Sequence, residues 1–153
     1  MAHVPGLRSP YDKVGRIVYF GRMLDKIRLH AAGKLPPEFV ENLGDVKPGM
    51  FDTRCCSFLR VRFAEIQAQA RTGGFSDEQL LAWCLERGGA RNDEECLVWN
   101  QFMTKRGWRD EANARLRQRI AESALESKPI MSMFDYIDFD EGRDPVTARA
   151  WEK

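Results

Sequence analysis

The sequence predicts an all-α fold: a compact bundle of about five to six helices, with a long proline- and glycine-rich loop and a C-terminal segment docked on the bundle. Three observations support this. Helix-capping patterns recur along the chain, each before a segment with helical spacing of apolar residues. No convincing run of alternating strand pattern interrupts them. The 153 residues, 43% hydrophobic and 31% charged, suffice for one domain with one buried core.

The first helix is predicted from Ser9-Pro10-Tyr11-Asp12, where a capping serine precedes a proline at the first helical position. We expect it to run to about His30 and to end near Gly33. The stretch Ile17-Val18-Tyr19-Phe20 resembles a strand by itself. The helical period continues on both sides of it, so we assign it to the helix.

A loop is predicted for residues 35–52, which contain three prolines and two glycines. Long loops in compact domains are often functional. A short helix from Thr53 to about Leu59 is expected next, and another from about Phe63 to Arg71, closed by two glycines.

Two capping boxes predict the next helices. Ser76 and Gln79 begin a helix that ends at Gly88, and Asn92 begins one that runs to about Arg106. A last long helix is expected from Asp110 to about residue 125. Its apolar stripe is narrow, which places it on the surface of the bundle.

The composition changes after residue 128, where apolar residues such as Phe134 and Ile137 alternate with acids. This apolar content favours docking on the domain or on a partner. We therefore predict one domain over residues 1–153, with a folded core at about 7–127, a docked segment at 128–143 and a flexible end at 144–153.

Charge and hydropathy narrow the range of partners. The net charge of +1 provides little attraction for nucleic acid. No apolar run reaches the length of a membrane span, and residues 1–10 lack the apolar stretch of a secretory signal. We expect a cytoplasmic protein with no nucleic acid or membrane partner, whose four cysteines are reduced.

Charged residues interrupt the apolar face of the first predicted helix. Arg28 falls in the middle of this face and Asp25 at its edge. One interpretation is an internal Asp25–Arg28 pair or an arginine that extends to solvent. The other is that Arg28 binds a carboxylate or phosphate in a pocket. Arg22, on the same helix, is a further candidate ligand-binding residue.

Cys55 and His30 are the candidates for chemistry. Cys55 and Cys56 lie between two arginines, and neighbouring cations lower the pKa of a thiol. Simple burial is the alternative. His30 could act as an acid or base, or lie on the surface near a helix end. No spaced Cys/His pair supports a zinc site, and we expect neither metal nor cofactor.

Trp99, Asn100 and Trp108 are candidate pocket residues. Trp99 shares a broad apolar face with its helical neighbours, and Asn100 lies at the margin of that face. Trp108 falls in a turn between helices. The alternatives are core packing for the tryptophans and a structural hydrogen bond for Asn100.

Three parts of the sequence resemble the bacterial domain-of-unknown-function family 5069 (DUF5069). They are Leu7–Gly15 with Phe20–Pro36, Val98–Met103 with Lys105–Asp110, and Phe134–Arg143. The resemblance implies a single family domain from the N-terminus through the tail. It implies no reaction, and no site residue is carried over from it.

Our first hypothesis is a polar pocket between the first helix and the helix of Trp99, which binds a small anionic metabolite. Arg28 would bind the anion, Asp25 would orient Arg28, and His30 or Cys55 would act as acid, base or nucleophile. The reaction would be a metal-free rearrangement, cyclisation or transfer. The alternative is a non-catalytic interaction module, in which residues 131–141 dock a partner or form a homodimer.

Overall fold

A computed structural model of the chain describes residues 3–152, and Met1, Ala2 and Lys153 lie outside this range. The described residues form nine α-helices, one 3-10 helix and one two-stranded sheet. The helices are α1 (Phe20–Ala31), α2 (Pro37–Val40), α3 (Phe51–Leu59), α4 (Phe63–Arg71), α5 (Asp77–Gly88), α6 (Asp93–Lys105), α7 (Asn113–Glu122), α8 (Met133–Asp140), α9 (Pro145–Ala148) and the 3-10 helix Ala150–Glu152. The predicted helical character is confirmed, and short extra helices account for the higher number.

The capping boxes begin α5 and α6 as predicted. Ser76 Oγ accepts a hydrogen bond from the Gln79 backbone N–H at 3.1 Å, and Gln79 Oε1 accepts one from the Ser76 N–H at 2.8 Å. Asn92 and Glu95 form the same reciprocal pair at the start of α6. Both motifs satisfy N–H groups that a helix N-terminus leaves without partners.

The prediction of a helix from Ser9 is wrong, because a β-hairpin precedes α1. Strands β1 (Lys13–Val14) and β2 (Ile17–Val18) pair antiparallel. Gly15 lies in the connecting turn with a φ of 57°, a conformation that glycine adopts readily. The assignment of residues 17–18 to a helix was therefore also wrong, and α1 begins only at Phe20.

Helix α1 is the central element of the core. Its side chains Phe20, Met23, Leu24 and Ile27 are fully buried. They belong to one apolar cluster that also includes buried residues of the hairpin and of α3, α4, α5, α6 and α8. Helix α7 contributes only Leu116 to the buried set, which agrees with its predicted surface position.

The C-terminal segment packs against the rest of the chain. Phe134 of α8 is fully buried and meets the Tyr11 ring edge-on at 5.2 Å between centroids. Residues 144–153 were expected to be flexible, but the described part of this segment forms α9 and the 3-10 helix. The Trp151 indole N–H donates to the Tyr11 carbonyl at 3.0 Å. Within residues 3–152, no helix is both long and apolar enough to cross a bilayer.

Candidate functional site

A groove of about 800 Å³ lies between α1, the 36–50 loop, α7 and α8. We call it the α1–α7 groove. Tyr19, Arg22 and Lys26 are buried side chains that form its floor. Arg115 and Arg119 of α7 form part of its rim. The segment predicted as a loop over residues 35–52 lines another part of the groove, and it is not all loop, because it contains α2 and the start of α3. The groove therefore combines a buried polar floor with a charged, accessible edge.

Two side chains of the floor, Tyr19 and Lys26, form a buried cluster with Asp52, which does not itself line the groove. We call these three residues the floor triad. The Tyr19 hydroxyl donates to Asp52 Oδ1 at 2.6 Å. Lys26 Nζ lies 2.7 Å from the same oxygen and donates to the Tyr19 hydroxyl at 3.1 Å. Asp52 Oδ2 accepts from the Gly44 N–H at 3.0 Å, so the carboxylate also holds the loop against α1.

Burial changes the acidity of two members of the triad. Burial raises the pKa of the Tyr19 hydroxyl well above its ordinary value, and the charge of Asp52 adds to this effect. Burial also lowers the pKa of Lys26, although Asp52 opposes the change. Tyr19 is therefore a hydroxyl donor at neutral pH, and Lys26 gives up its proton more readily than an exposed lysine does.

Tyr19 has a φ of 76°, in the left-handed region that residues other than glycine rarely adopt. Such a conformation costs about 1–3 kcal/mol and persists only where surrounding contacts enforce it. Here the hydroxyl is fixed by Asp52 and Lys26, and the preceding Val18 N–H is bound by Asn100 Oδ1 at 3.0 Å. The strained residue thus lies at the floor of the groove, with its functional group fixed in place.

Arg22 forms a bidentate ion pair with Glu141 of the C-terminal segment. The two Nη atoms lie 2.9 and 2.6 Å from the two carboxylate oxygens, and both side chains are buried. Burial opposes ionisation of Glu141, but the hydrogen bonds from Arg22 hold the pKa of this carboxyl below its ordinary value. Arg22 is therefore committed to an internal partner.

The rim carries cations that form no ion pair within residues 3–152. Arg115 and Arg119 are one helical turn apart on α7 and both line the groove. Neither forms an ion pair with any of residues 3–152, although the Arg119 guanidinium lies 5.5 Å from the centroid of the Tyr136 ring. Arg106, which also lines the groove, is instead bound to Asp110 and Glu111. Arg115 and Arg119 are thus the arginines free to bind a ligand anion.

The predicted Asp25–Arg28 pair is wrong. The Asp25 carboxylate accepts hydrogen bonds from Nε and Nη2 of Arg8, at 2.7 and 2.8 Å. Arg28 pairs with Asp77 at 2.7 Å, and 38% of its side chain is exposed. Asp25 and Arg28 thus each pair with a residue outside α1. Neither Asp25 nor Arg28 lines the groove. Arg28 therefore lies at the edge of α1 and not in the middle of a buried face.

Cys55 and His30 do not join the groove either. Cys55 is fully buried, and burial raises the pKa of its thiol well above the ordinary value. Burial outweighs the expected activation by cations, although Lys26 acts to lower the pKa of the thiol. Arg54 lies over the Phe102 ring, 5.0 Å from its centroid. His30 is half-buried in the last turn of α1, and its Nδ1 has no hydrogen-bond partner among residues 3–152.

The three candidates around α6 have structural contacts. The Trp99 indole N–H donates to the Val18 carbonyl at 3.2 Å, and the ring stacks on Phe58. Asn100 binds the Val18 N–H and the Arg16 carbonyl, which fastens the hairpin to α6. Trp108 is 43% exposed. None of the three candidates lines the groove, so the site lies on a different side of α1 from the predicted pocket.

Of the predicted site residues, only Arg22 lines the groove. Sequence reasoning missed Tyr19, Lys26 and Asp52. A signal for two of them was present, because Tyr19 and Lys26 are seven residues apart and therefore fall on one face of a helix, together with Arg22. No comparable signal identifies Asp52. Within residues 3–152, no group of three or more His, Cys, Asp or Glu side chains is arranged to hold a metal ion.

Comparison with known proteins identifies one family. The family described as "Domain of unknown function (DUF5069)" matches residues 4–143, which confirms the resemblance noted from the sequence. The matched range includes the floor triad, both rim arginines and α8. No curated protein matches the chain.

Proposed function

The chain belongs to the DUF5069 family, whose description assigns no activity, and from the geometry of its groove we propose that it binds a small organic anion and transfers protons to or from it. In this proposal Arg115 and Arg119 hold the anion at the rim. Tyr19 and Lys26 of the floor triad face the bound molecule, and Asp52 lies beside both of them. This keeps the small anionic ligand expected from the sequence but assigns different residues to it.

The observation that carries the proposal is a pair of arginines above a buried polar floor, neither of which forms an ion pair with any residue that the structure describes. A guanidinium offers a planar set of donors that matches carboxylate and phosphate oxygens. Lys47, exposed at the other side of the groove, adds a third cation without an ion-pair partner among the described residues. Carboxylates also line the groove, at Glu38, Glu41 and Glu122, so it is the part beside the two arginines that favours a carboxylate or phosphate group of the ligand.

The floor triad supplies the groups for proton transfer. Tyr19 holds its proton at neutral pH and can donate a hydrogen bond or a proton. Lys26, with its lowered pKa, can act as a base once Asp52 accepts its proton. Proton transfers of this kind support rearrangements, cyclisations and group transfers, the reaction classes considered from the sequence.

The alternative, an interaction module that uses the C-terminal segment, has less support. Phe134 and Tyr136, two of its large apolar side chains, are buried against the rest of the chain. Met131 is the member that remains well exposed, at 62%. These two large side chains of the segment are therefore buried inside the molecule and are not available to a partner.

Isothermal titration calorimetry tests the proposal. A thermal-shift screen of carboxylates and phosphate monoesters selects the anion that stabilises the chain most, and its affinity is then measured. Each charge-assisted hydrogen bond contributes about 1.5–3 kcal/mol, so we expect Arg115→Ala/Arg119→Ala to weaken binding by roughly tenfold or more.

Arg117→Ala is the matched control. Arg117 is exposed on the same helix, does not line the groove, and donates to Asn113 at 3.3 Å. The Arg117→Ala variant should bind the anion with the affinity of the parent chain. Equal affinity in the double variant and the parent, or an equal loss in Arg117→Ala, would contradict the proposal, as would a screen in which no anion stabilises the chain.

A further inference from the structure

We propose that Lys26 is a covalent nucleophile and that the ligand of the groove is an anion with an aldehyde or ketone group, which condenses with Lys26 to form an imine. This inference rests on the proposed function, because the rim arginines must hold the anion over the floor. It goes further by naming the reactive atom and the carbonyl class of the substrate.

The position of Lys26 is the first argument. Its side chain lines the groove, yet the residue is only 5% exposed. Its ammonium group donates a hydrogen bond to the Tyr19 hydroxyl at 3.1 Å and forms an ion pair with Asp52 at 2.7 Å. Lys26 is therefore held at the bottom of the groove with an acid and a hydroxyl group beside its nitrogen.

The surroundings also make the amine form of Lys26, which is the nucleophile, easier to reach than in an exposed lysine. A lysine becomes nucleophilic when it is desolvated or lies near another cation. Lys26 meets both conditions, because it is buried and Arg22 lies one turn before it on α1. Burial and the Arg22 charge both lower the pKa of Lys26, while Asp52 acts in the opposite direction.

The proton balance closes within the triad. The Lys26 ammonium gives one proton to Asp52, and the nitrogen lone pair forms a bond to the carbonyl carbon. The carbonyl π electrons move to oxygen, which takes a proton from the Tyr19 hydroxyl. The nitrogen, now bonded to carbon and positively charged, returns one of its protons to the Tyr19 oxygen, which leaves a neutral carbinolamine.

Loss of water completes the imine. Asp52 returns its proton to the carbinolamine hydroxyl, which leaves as water while the nitrogen lone pair forms the C=N bond. The product is a protonated imine on Lys26, so the positive charge beside Asp52 is conserved. No electrons are gained or lost, and no further reactant is needed.

Borohydride trapping tests this inference on the full chain. The protein is incubated with glyoxylate or 4-carboxybenzaldehyde, reduced with sodium borohydride and digested for peptide mass spectrometry. We expect Lys26 to be labelled roughly tenfold faster than Lys47, which lines the same groove but is exposed and lies outside the triad. Malonate, an anion without a reactive carbonyl, should slow labelling at Lys26 and leave Lys34, which is exposed and does not line the groove, unaffected.

The outcomes separate this inference from the proposed function. Labelling confined to Lys47 and other exposed lysines would overturn the imine. If malonate or the screened anion still binds in a manner that depends on Arg115 and Arg119, the binding proposal stands alone. Loss of both labelling and anion binding would overturn both. The variant Lys26→Arg, which keeps a cation beside Asp52, should bind the anion and lose the label at position 26.

Discussion

Replacement of Lys26 by methionine removes the ammonium group and leaves the Asp52 carboxylate without a cation. Asp52 is fully buried and Lys26 Nζ lies 2.7 Å from its Oδ1. At an effective dielectric constant of about 20, a pair at this distance attracts by about 6 kcal/mol, most of which offsets the cost of burying both charges. Without Lys26, the Asp52 carboxylate stays buried with no cation to offset the free energy of its desolvation. We therefore expect Lys26→Met to lower the free energy of unfolding by about 3–5 kcal/mol.

Urea unfolding at neutral pH measures this effect. In a domain of this size the expected loss corresponds to a melting temperature lower by roughly 6–20 °C. The double variant Lys26→Met/Asp52→Asn should recover part of the loss, because it leaves no unpaired charge in the interior. Lys47→Met is the control, since Lys47 is exposed, and it should change the free energy of unfolding by less than about 0.5 kcal/mol.

A loss below about 1 kcal/mol in Lys26→Met would refute the reasoning, because that value is typical of a solvated surface pair. A double variant that is no more stable than Lys26→Met would also refute it. Either result would show that the triad is not a buried, coupled unit.

Two further predictions concern other buried groups. Burial raises the pKa of Cys55 well above its ordinary value and that of Cys56 to about 12. Both thiols should therefore react with iodoacetamide only as fast as the chain unfolds. Rapid alkylation of the folded chain, detected by mass spectrometry, would disprove this. Burial also raises the pKa of Asp138 to about 6, against about 4 in the unfolded chain, so the folded state binds a proton that the unfolded state has released. This contribution to stability is therefore lost as the pH rises from about 4 to about 6, by up to about 3 kcal/mol. The parent chain should lose stability over this range relative to Asp138→Asn in urea unfolding, and a constant difference between the two would count against the assignment.

The helices that the sequence predicts well are those whose start is set by local contacts. The boxes at Ser76 and Asn92 need only residues three positions away, so their hydrogen bonds can be read directly from the sequence. The hairpin before α1 is different. Asn100 binds the Val18 N–H from 82 positions away, and this contact is not visible in a periodicity argument.

The same reason explains the errors at the site. The charges on α1 can be identified from the sequence, but their partners lie elsewhere in the chain. Glu141 is 119 positions from Arg22, and Asp77 is 49 positions from Arg28. With those partners unknown, the sequence predicts Arg28 as the interior cation, whereas the buried cations of α1 are Arg22 and Lys26.

The rim arginines could not be identified from the sequence. Arg115 and Arg119 lie on a helix with many charged residues, where most side chains are expected to face solvent. Their role depends on α7 lying beside α1 and the 36–50 loop. Only the three-dimensional arrangement shows that these two, and not Arg117, line the groove.

A crystal structure of the chain with the most stabilising anion from the screen tests the central claim most directly. The account predicts ligand density in the α1–α7 groove, with its carboxylate or phosphate oxygens within hydrogen-bond distance of Arg115 or Arg119 and the rest of the molecule directed towards Lys26. Density only in the shallow cleft beside Arg8 and Arg143, or only on the outer surface, would contradict it.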